Sequence, residues 1–98
     1  MSSKIEVAVS IETFRDIFNE LDRTGITFSC IFEKLDGSVR GISARMLGPV
    51  AFNYKKRESY ANVVDIDLPV GFNNDRKIVL QRVERLIVNG TNFISNGR

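Results

Sequence analysis

The sequence predicts a mainly β domain in which one N-terminal helix precedes five short strands that form a small barrel. Three observations support this. Apolar residues follow a helical period only over 11–23, and from residue 26 the period changes to two. Within 75–90, DRKIVLQRVERLIVNG, the period changes twice. Two strands joined by one tight 3₁₀ turn explain that double change.

The helix comes first and has clear signals at both ends. Ser10 is suited to be its N-cap, and Gly25 is suited to end it. Four apolar residues between them lie on one stripe and are expected to cover an open end of the barrel: Phe14, Ile17, Phe18 and Leu21. The predicted helix spans 11–23.

The next two strands are predicted as a hairpin, 26–33 and 38–47. Between them stands Asp36-Gly37, a strong signal for a tight turn. Cys30 falls on the apolar face with its neighbours two residues away, so it is interpreted as a small buried hydrophobe. The chain has no His that could activate it as a nucleophile.

Residues 48–62 are interpreted as a long connection, and the remaining strands as 63–68, 77–80 and 84–89, with the turn at 81–83. This order of elements is that of an Sm-like, SH3-type barrel over 26–90, within one domain of 1–98. The expected barrel interior consists of Phe28, Cys30, Phe32, Ile42, Val64, Ile66, Ile78, Leu80 and Leu86.

Composition excludes several classes of function. With one Cys there is no intramolecular disulfide, and no apolar run is long enough to span a bilayer, so a cytoplasmic protein is expected. One Cys and no His give no metal or cofactor site. Asp65 and Asp67 could form a catalytic carboxylate pair, but a solvated strand face, or partners for Arg76 and Arg82, is the preferred interpretation. No enzyme is predicted.

Charge is distributed unevenly along the chain. The net charge is +2, yet 1–33 has three basic and six acidic residues, whereas 34–57 has six basic residues and one acid. Within the basic segment, FNYKKRESY alternates cations with aromatic rings, a combination that binds phosphates and stacks on unpaired bases. The candidate nucleic-acid-binding residues are Arg40, Arg45, Tyr54, Lys55, Lys56, Arg57 and Tyr60.

Single-stranded nucleic acid or a nucleotide is therefore the expected partner. Two alternatives remain open. The segment could be an ordinary charged loop with both tyrosines packed against the barrel, or the surface of a protein-interaction module that inhibits or redirects a host enzyme. Self-association through strand edges is also expected, because RLIVNG is apolar on both faces of the last strand.

Two segments resemble a known family. VVDIDL followed by DRKIVLQRVERL is similar to the end of WYL domains, and FEKLDGSVRG resembles small bacteriophage proteins grouped as WYL-like, Sm-like barrels. The matching residues are Phe32, Lys34, Asp36, Gly37, Arg40, Arg76, Leu80, Arg82, Val83 and Leu86. The resemblance, over about 30–86, implies regulation through nucleotide or nucleic-acid ligands. The chain lacks the family's Trp, and only one helix is readable, so a stand-alone module is expected.

Overall fold

The computed structural model describes residues 5–69 and 73–96, and this part of the chain forms one α-helix, eight β-strands and a 3₁₀ turn. The elements in chain order are β1 (Ile5–Val9), α1 (Ile11–Thr24), β2 (Phe28–Glu33), β3 (Val39–Met46), β4 (Ala51–Asn53), β5 (Glu58–Asp65), β6 (Asp75–Val79), the 3₁₀ turn (Leu80–Arg82), β7 (Val83–Val88) and β8 (Thr91–Ser95).

The predicted helix is confirmed together with both of its end signals. The Ser10 side chain accepts a hydrogen bond from the backbone N–H of Thr13 at 3.2 Å. Gly25 adopts a left-handed φ of +71° and its N–H donates to the Leu21 carbonyl at 2.9 Å. Phe14, Phe18 and Leu21 are buried, so the helix packs its predicted stripe on the core. No helix in the described part is long and apolar enough to cross a membrane.

The strands form one sheet in the order β1-β8-β7-β2-β3-β5-β4, and β6 pairs with the other side of β5. All neighbours are antiparallel except β1 and β8. The mainly β fold with an N-terminal helix and a 3₁₀ turn is therefore confirmed. The closed five-stranded barrel is not, because the sheet has eight strands and its ends do not pair within the described residues.

Three strands, β1, β4 and β8, extend the predicted set of five. β8 pairs with β7, whose opposite side pairs with β2. The expectation that the RLIVNG strand lies at a sheet edge is therefore wrong, because residues 91–95 supply a further strand that the sequence pattern did not reveal. Self-association itself stays a prediction, and β1 is the strand that ends the sheet on this side.

Seven of the nine residues expected in the interior are buried: Phe28, Cys30, Phe32, Ile42, Ile78, Leu80 and Leu86. The other two, Val64 and Ile66, were placed on the wrong face. In β5 the buried positions are Ser59, Ala61, Val63 and Asp65, and Ile66 is 42% exposed beyond the end of the strand. The pattern misled because Asp65 was assumed to face water, whereas in the fold its charge is buried beside Arg40.

The segment 48–62 is not a connection without strands. It contains all of β4 and the first half of β5, joined by a turn over 54–57. The pairs Ala51 with Tyr60 and Asn53 with Glu58 hold the two strands together. Apart from two alanines, the residues of β4 and of 58–62 are polar or aromatic and show no alternation of apolar side chains. The strand was therefore predicted to begin only at residue 63.

Candidate anion-binding cleft

A cleft of about 360 Å³ opens between two hairpin tips, β6 and the 3₁₀ turn. The β2–β3 hairpin supplies one wall and the β4–β5 hairpin supplies the facing wall. The lining residues are Phe32, Glu33, Lys34, Leu35, Arg40, Asn53, Lys56, Glu58, Tyr60, Arg76, Lys77, Val79 and Arg82. Its volume lies at the small end of the range of ligand pockets, roughly 300–1,000 Å³.

Positive charge is concentrated in this cleft. Six of its lining residues are cationic and two, Glu33 and Glu58, are acidic, so the lining carries four more positive charges than negative ones. The whole chain carries a net charge of only +2. A concave surface lined by one sign of charge concentrates the field and attracts ions of the opposite sign. An anion is therefore the ligand that this cleft is suited to bind.

Arg40 is held in place by a buried carboxylate. Its guanidinium lies 3.2 Å from Asp65 Oδ2, and the Asp65 side chain is only 5% exposed. The other carboxylate oxygen of Asp65 accepts a hydrogen bond from the Asp67 N–H at 3.0 Å. Because a buried carboxylate needs such partners, the pair orients Arg40 at the cleft. The Arg40 side chain is 36% exposed, and its guanidinium has more N–H donors than Asp65 uses.

Two further arginines of the cleft are oriented by oxygen atoms of the protein. Arg82 donates to Glu33 Oε1 and to the Lys34 carbonyl, both at 3.2 Å. Arg76 donates to the carbonyls of Asn73 and Asp75 at 2.9 and 2.8 Å. Held guanidinium groups lose less conformational freedom when they bind an anion than the flexible ammonium group of Lys34 does.

The cleft also has an apolar and aromatic component. The ammonium group of Lys77 lies 4.0 Å from the centre of the Tyr60 ring, a cation–π contact that covers one face of the ring. Leu35, at the β2–β3 tip, is 84% exposed, and Val79 of β6 also lines the cleft. The cations of the cleft can therefore contact the charged group of an organic anion, and the apolar side chains can contact the carbon framework of that anion.

The structure divides the predicted binding residues into three groups. Arg40, Lys56 and Tyr60 line the cleft. Tyr54, Lys55 and Arg57 lie on the adjoining β4–β5 turn, and all three side chains are exposed. Arg45 is exposed on β3 but lies outside the cleft. Side chains alternate between the two faces of a strand, so Arg40 shares the face of the buried residues of β3 and Arg45 lies on the other face.

Four cationic residues of the cleft were absent from the predicted site: Lys34, Arg76, Lys77 and Arg82. They are far apart in the sequence, so a search for charge clusters along the chain did not find them. A signal was nevertheless present. Lys34, Arg76 and Arg82, like Arg40, are among the residues on which the family resemblance rests, and all four line this one cavity.

Three other candidate sites can be compared with the structure: the cysteine, the aspartate pair and clusters of potential metal ligands. Burial raises the pKa of the Cys30 thiol to about 12, so this residue is a neutral core side chain and not a thiolate nucleophile. Asp65 pairs with Arg40, whereas the sequence suggested Arg76 or Arg82 as its partner. Asp67 is exposed beyond the end of the strand. No group of three or more potential metal ligands occurs among these residues.

Comparison with protein-family models, with curated proteins and with solved structures finds no match. The resemblance to WYL-like proteins therefore stays a prediction. The chemistry of the cleft is what supports a function.

Proposed function

We propose that this protein is a small binding module for nucleic acid or nucleotides and that the cleft holds the phosphates of its ligand. The observation that carries this proposal is the set of six cationic side chains around a single cavity of about 360 Å³. Planar guanidinium groups can bind phosphate oxygen atoms through two parallel hydrogen bonds. A regulatory role is proposed from the family resemblance alone.

The aromatic and apolar lining favours a nucleotide unit over an inorganic anion. Leu35, Tyr60 and Val79 offer carbon surface beside the cations, and a nucleotide presents a sugar and a flat base next to each phosphate. An inorganic phosphate would contact the cations and leave this carbon surface in water.

The proposal includes a finer description of the fold. Five strands pair in the order β7-β2-β3-β5-β6, and the 3₁₀ turn joins β6 to β7. This order supports an Sm-like, SH3-type arrangement, to which β8 and β1 add an extension beyond β7.

The test is fluorescence anisotropy of a labelled single-stranded oligonucleotide, measured at several salt concentrations. Changing Lys34 and Lys77 to Ala removes two cations of the cleft, one next to β2 and one on β6. We expect affinity to fall about tenfold, because each lost contact involves a charged group. The slope of log K against log salt should decrease by about 1.4, since each phosphate contact on a single strand contributes about 0.7.

The matched control changes Arg15 and Arg23 to Ala, which removes the same charge from exposed positions outside the cleft. This variant should bind within about twofold of the wild type, because the change in net charge away from the cleft is screened by salt. Equal losses in the two variants would contradict a site at the cleft. Absence of any affinity at low salt would overturn the proposal, and the same surface would then be assigned to a protein partner.

The β4–β5 turn provides a second variant. Changing Lys55, Lys56 and Arg57 together to Ala should weaken binding of single-stranded nucleic acid at least tenfold, with the salt slope lower by roughly two if all three contact phosphates. The melting temperature should change little, because all three side chains are exposed. A large loss of stability without loss of affinity would contradict the assignment.

A further inference from the structure

Two aromatic rings are exposed together at the tip of the β4–β5 hairpin. Phe52 is 45% exposed and Tyr54 is 84% exposed. Their ring centres lie 4.8 Å apart, with an angle of 71° between the ring planes. Neither residue belongs to the core cluster. We call Phe52 and Tyr54 the aromatic pair.

The hairpin holds this pair in place without burying it. Asn53, between the two rings in the sequence, accepts hydrogen bonds from the backbone N–H groups of Lys55 at 3.0 Å and Lys56 at 3.2 Å. These contacts fix the turn on which Tyr54 stands. A preformed, solvent-facing pair of aromatic rings is the kind of surface that serves as a contact site.

The aromatic pair and part of the cleft lie on the same β4–β5 hairpin. Asn53 and Lys56, which flank Tyr54 and Lys55 in the chain, both line the cleft, and Lys55 and Arg57 add exposed positive charge on the same turn. Cations thus continue from the cleft across Lys56 to the aromatic pair. The rings at the end of this path are the ones available for stacking, because Tyr60 is half-buried and Lys77 covers one of its faces.

We propose that the ligand is an unpaired polynucleotide strand rather than a free nucleotide or a duplex, and that one of its bases stacks on the aromatic pair while phosphates of the same strand occupy the cleft. This proposal rests on the proposed function. A free nucleotide in the cleft would leave the aromatic pair unused. A duplex keeps its bases stacked on one another, so no ring of the protein could contact a base face.

The chemistry recognised is common to DNA and RNA, because every base has an aromatic face and every backbone has phosphates. The positive charge of Lys55, Lys56 and Arg57, directly after the pair in the chain, favours a polyanion over a neutral apolar partner. A protein partner is the other class of macromolecule that exposed aromatic rings could bind, and the test below separates it.

The experiment measures the affinity of the full chain for fluorescein-labelled oligouridylates and oligothymidylates of increasing length. Affinity should rise steeply from the dinucleotide to about the tetranucleotide, the low end of site sizes in small barrel domains, and level off beyond it. A mononucleotide should compete at least tenfold less well than the tetranucleotide. A stable, blunt-ended hairpin duplex should compete no better than the mononucleotide.

Changes at the aromatic pair test the stacking step. Tyr54→Ala and Phe52→Ala should each weaken tetranucleotide binding about fivefold or more. Tyr54→Leu, which keeps apolar bulk without an aromatic face, should lose as much as Tyr54→Ala, whereas Tyr54→Trp should retain the affinity. The chain contains no Trp, so Tyr54→Trp introduces the only indole, and its fluorescence should be quenched when the tetranucleotide binds.

The outcomes distinguish this proposal from the one on which it rests. If mononucleotide and tetranucleotide compete equally and the aromatic variants bind normally, the single-strand proposal is overturned while the cleft retains its function. If the affinity of Tyr54→Ala no longer depends on oligonucleotide length while mononucleotide binding at the cleft is unchanged, the single-strand proposal is supported. If neither nucleotides nor oligonucleotides bind at low salt, both proposals fail together and a protein partner becomes the remaining candidate.

Discussion

The two hairpins that flank the cleft close through different kinds of turn. The β2–β3 tip closes through three residues, 35–37, with the Lys34 N–H donating to the Ser38 carbonyl at 2.7 Å and Gly37 in the left-handed region at φ +89°. The β4–β5 tip closes through four residues, 54–57, and its left-handed position, φ +53°, is occupied by Arg57.

That difference concerns the backbone strain at the two tips. Glycine adopts a left-handed φ without strain, whereas a residue with a Cβ pays roughly 1–2 kcal/mol there. The first tip therefore carries residues that suit its backbone. The second keeps an arginine where glycine would be more stable, beside two lysines and the aromatic pair. Strain retained at an exposed position is a common property of functional surfaces.

The same contrast extends to the interior. β2 places Phe28, Cys30 and Phe32 in the core, and the Phe28 ring contacts Phe18 edge-on at 5.6 Å between centres. β5 buries only the smaller side chains of Ala61 and Val63 among its apolar residues, and β4 leaves Phe52 half in water. The β2–β3 hairpin thus contributes more of the apolar burial that stabilises the fold.

The largest expected difference between the hairpins is in their phenylalanines. Phe28→Ala should lower the free energy of unfolding by about 3–5 kcal/mol, because it leaves a cavity against the helix. Phe52→Ala should cost about 1 kcal/mol or less, mainly through its contact with Tyr54. Urea unfolding of both variants measures the two losses, and similar values would show that the β4–β5 hairpin carries more of the fold than its burial indicates.

A second comparison exchanges the residues at the left-handed positions. Gly37→Ala should destabilise by about 1–2 kcal/mol through backbone strain alone, since a Cβ there would meet no atom within 4 Å. Arg57→Gly should instead stabilise by about 0.5–1 kcal/mol, because relief of strain exceeds the added flexibility of glycine. Melting temperatures should move in opposite directions, and a loss of stability in Arg57→Gly would mean that its side chain has a structural role.

The smallest effect concerns pH. The Ser38 hydroxyl and backbone N–H, which donate to Asp36 at 2.6 and 2.9 Å, hold the pKa of this carboxyl below its ordinary value of 3.8. A folded-state pKa that is lowered contributes stability above pH 3.8 and loses it as pH falls toward the lowered value. The difference in urea midpoint between wild type and Asp36→Asn should therefore shrink below pH 4, and a constant difference between pH 3 and pH 6 would contradict this role.

Some features of this protein follow from the sequence because their signals are local. The Ser10 and Gly25 signals lie within a few residues of the helix ends, and Asp36-Gly37 closes a turn between two strands that alternate in polarity. The 3₁₀ turn was predicted at 81–83 and occurs at Leu80–Arg82, between strands predicted on either side of it. Each requires only the hydrogen bonds and dihedral angles of neighbouring residues.

The remaining features depend on contacts between residues that are distant in the chain. Asp65 was placed on the solvent face because a carboxylate is costly to bury, and only its pairing with Arg40, 25 residues away, makes burial acceptable. β8 is a strand because β7 and β1 pair with it. The cleft likewise forms only when folding brings together Lys34, Lys56 and Arg82, which belong to three separate segments of the chain. Charge acts through space, so tertiary structure decided where the cations of this chain converge.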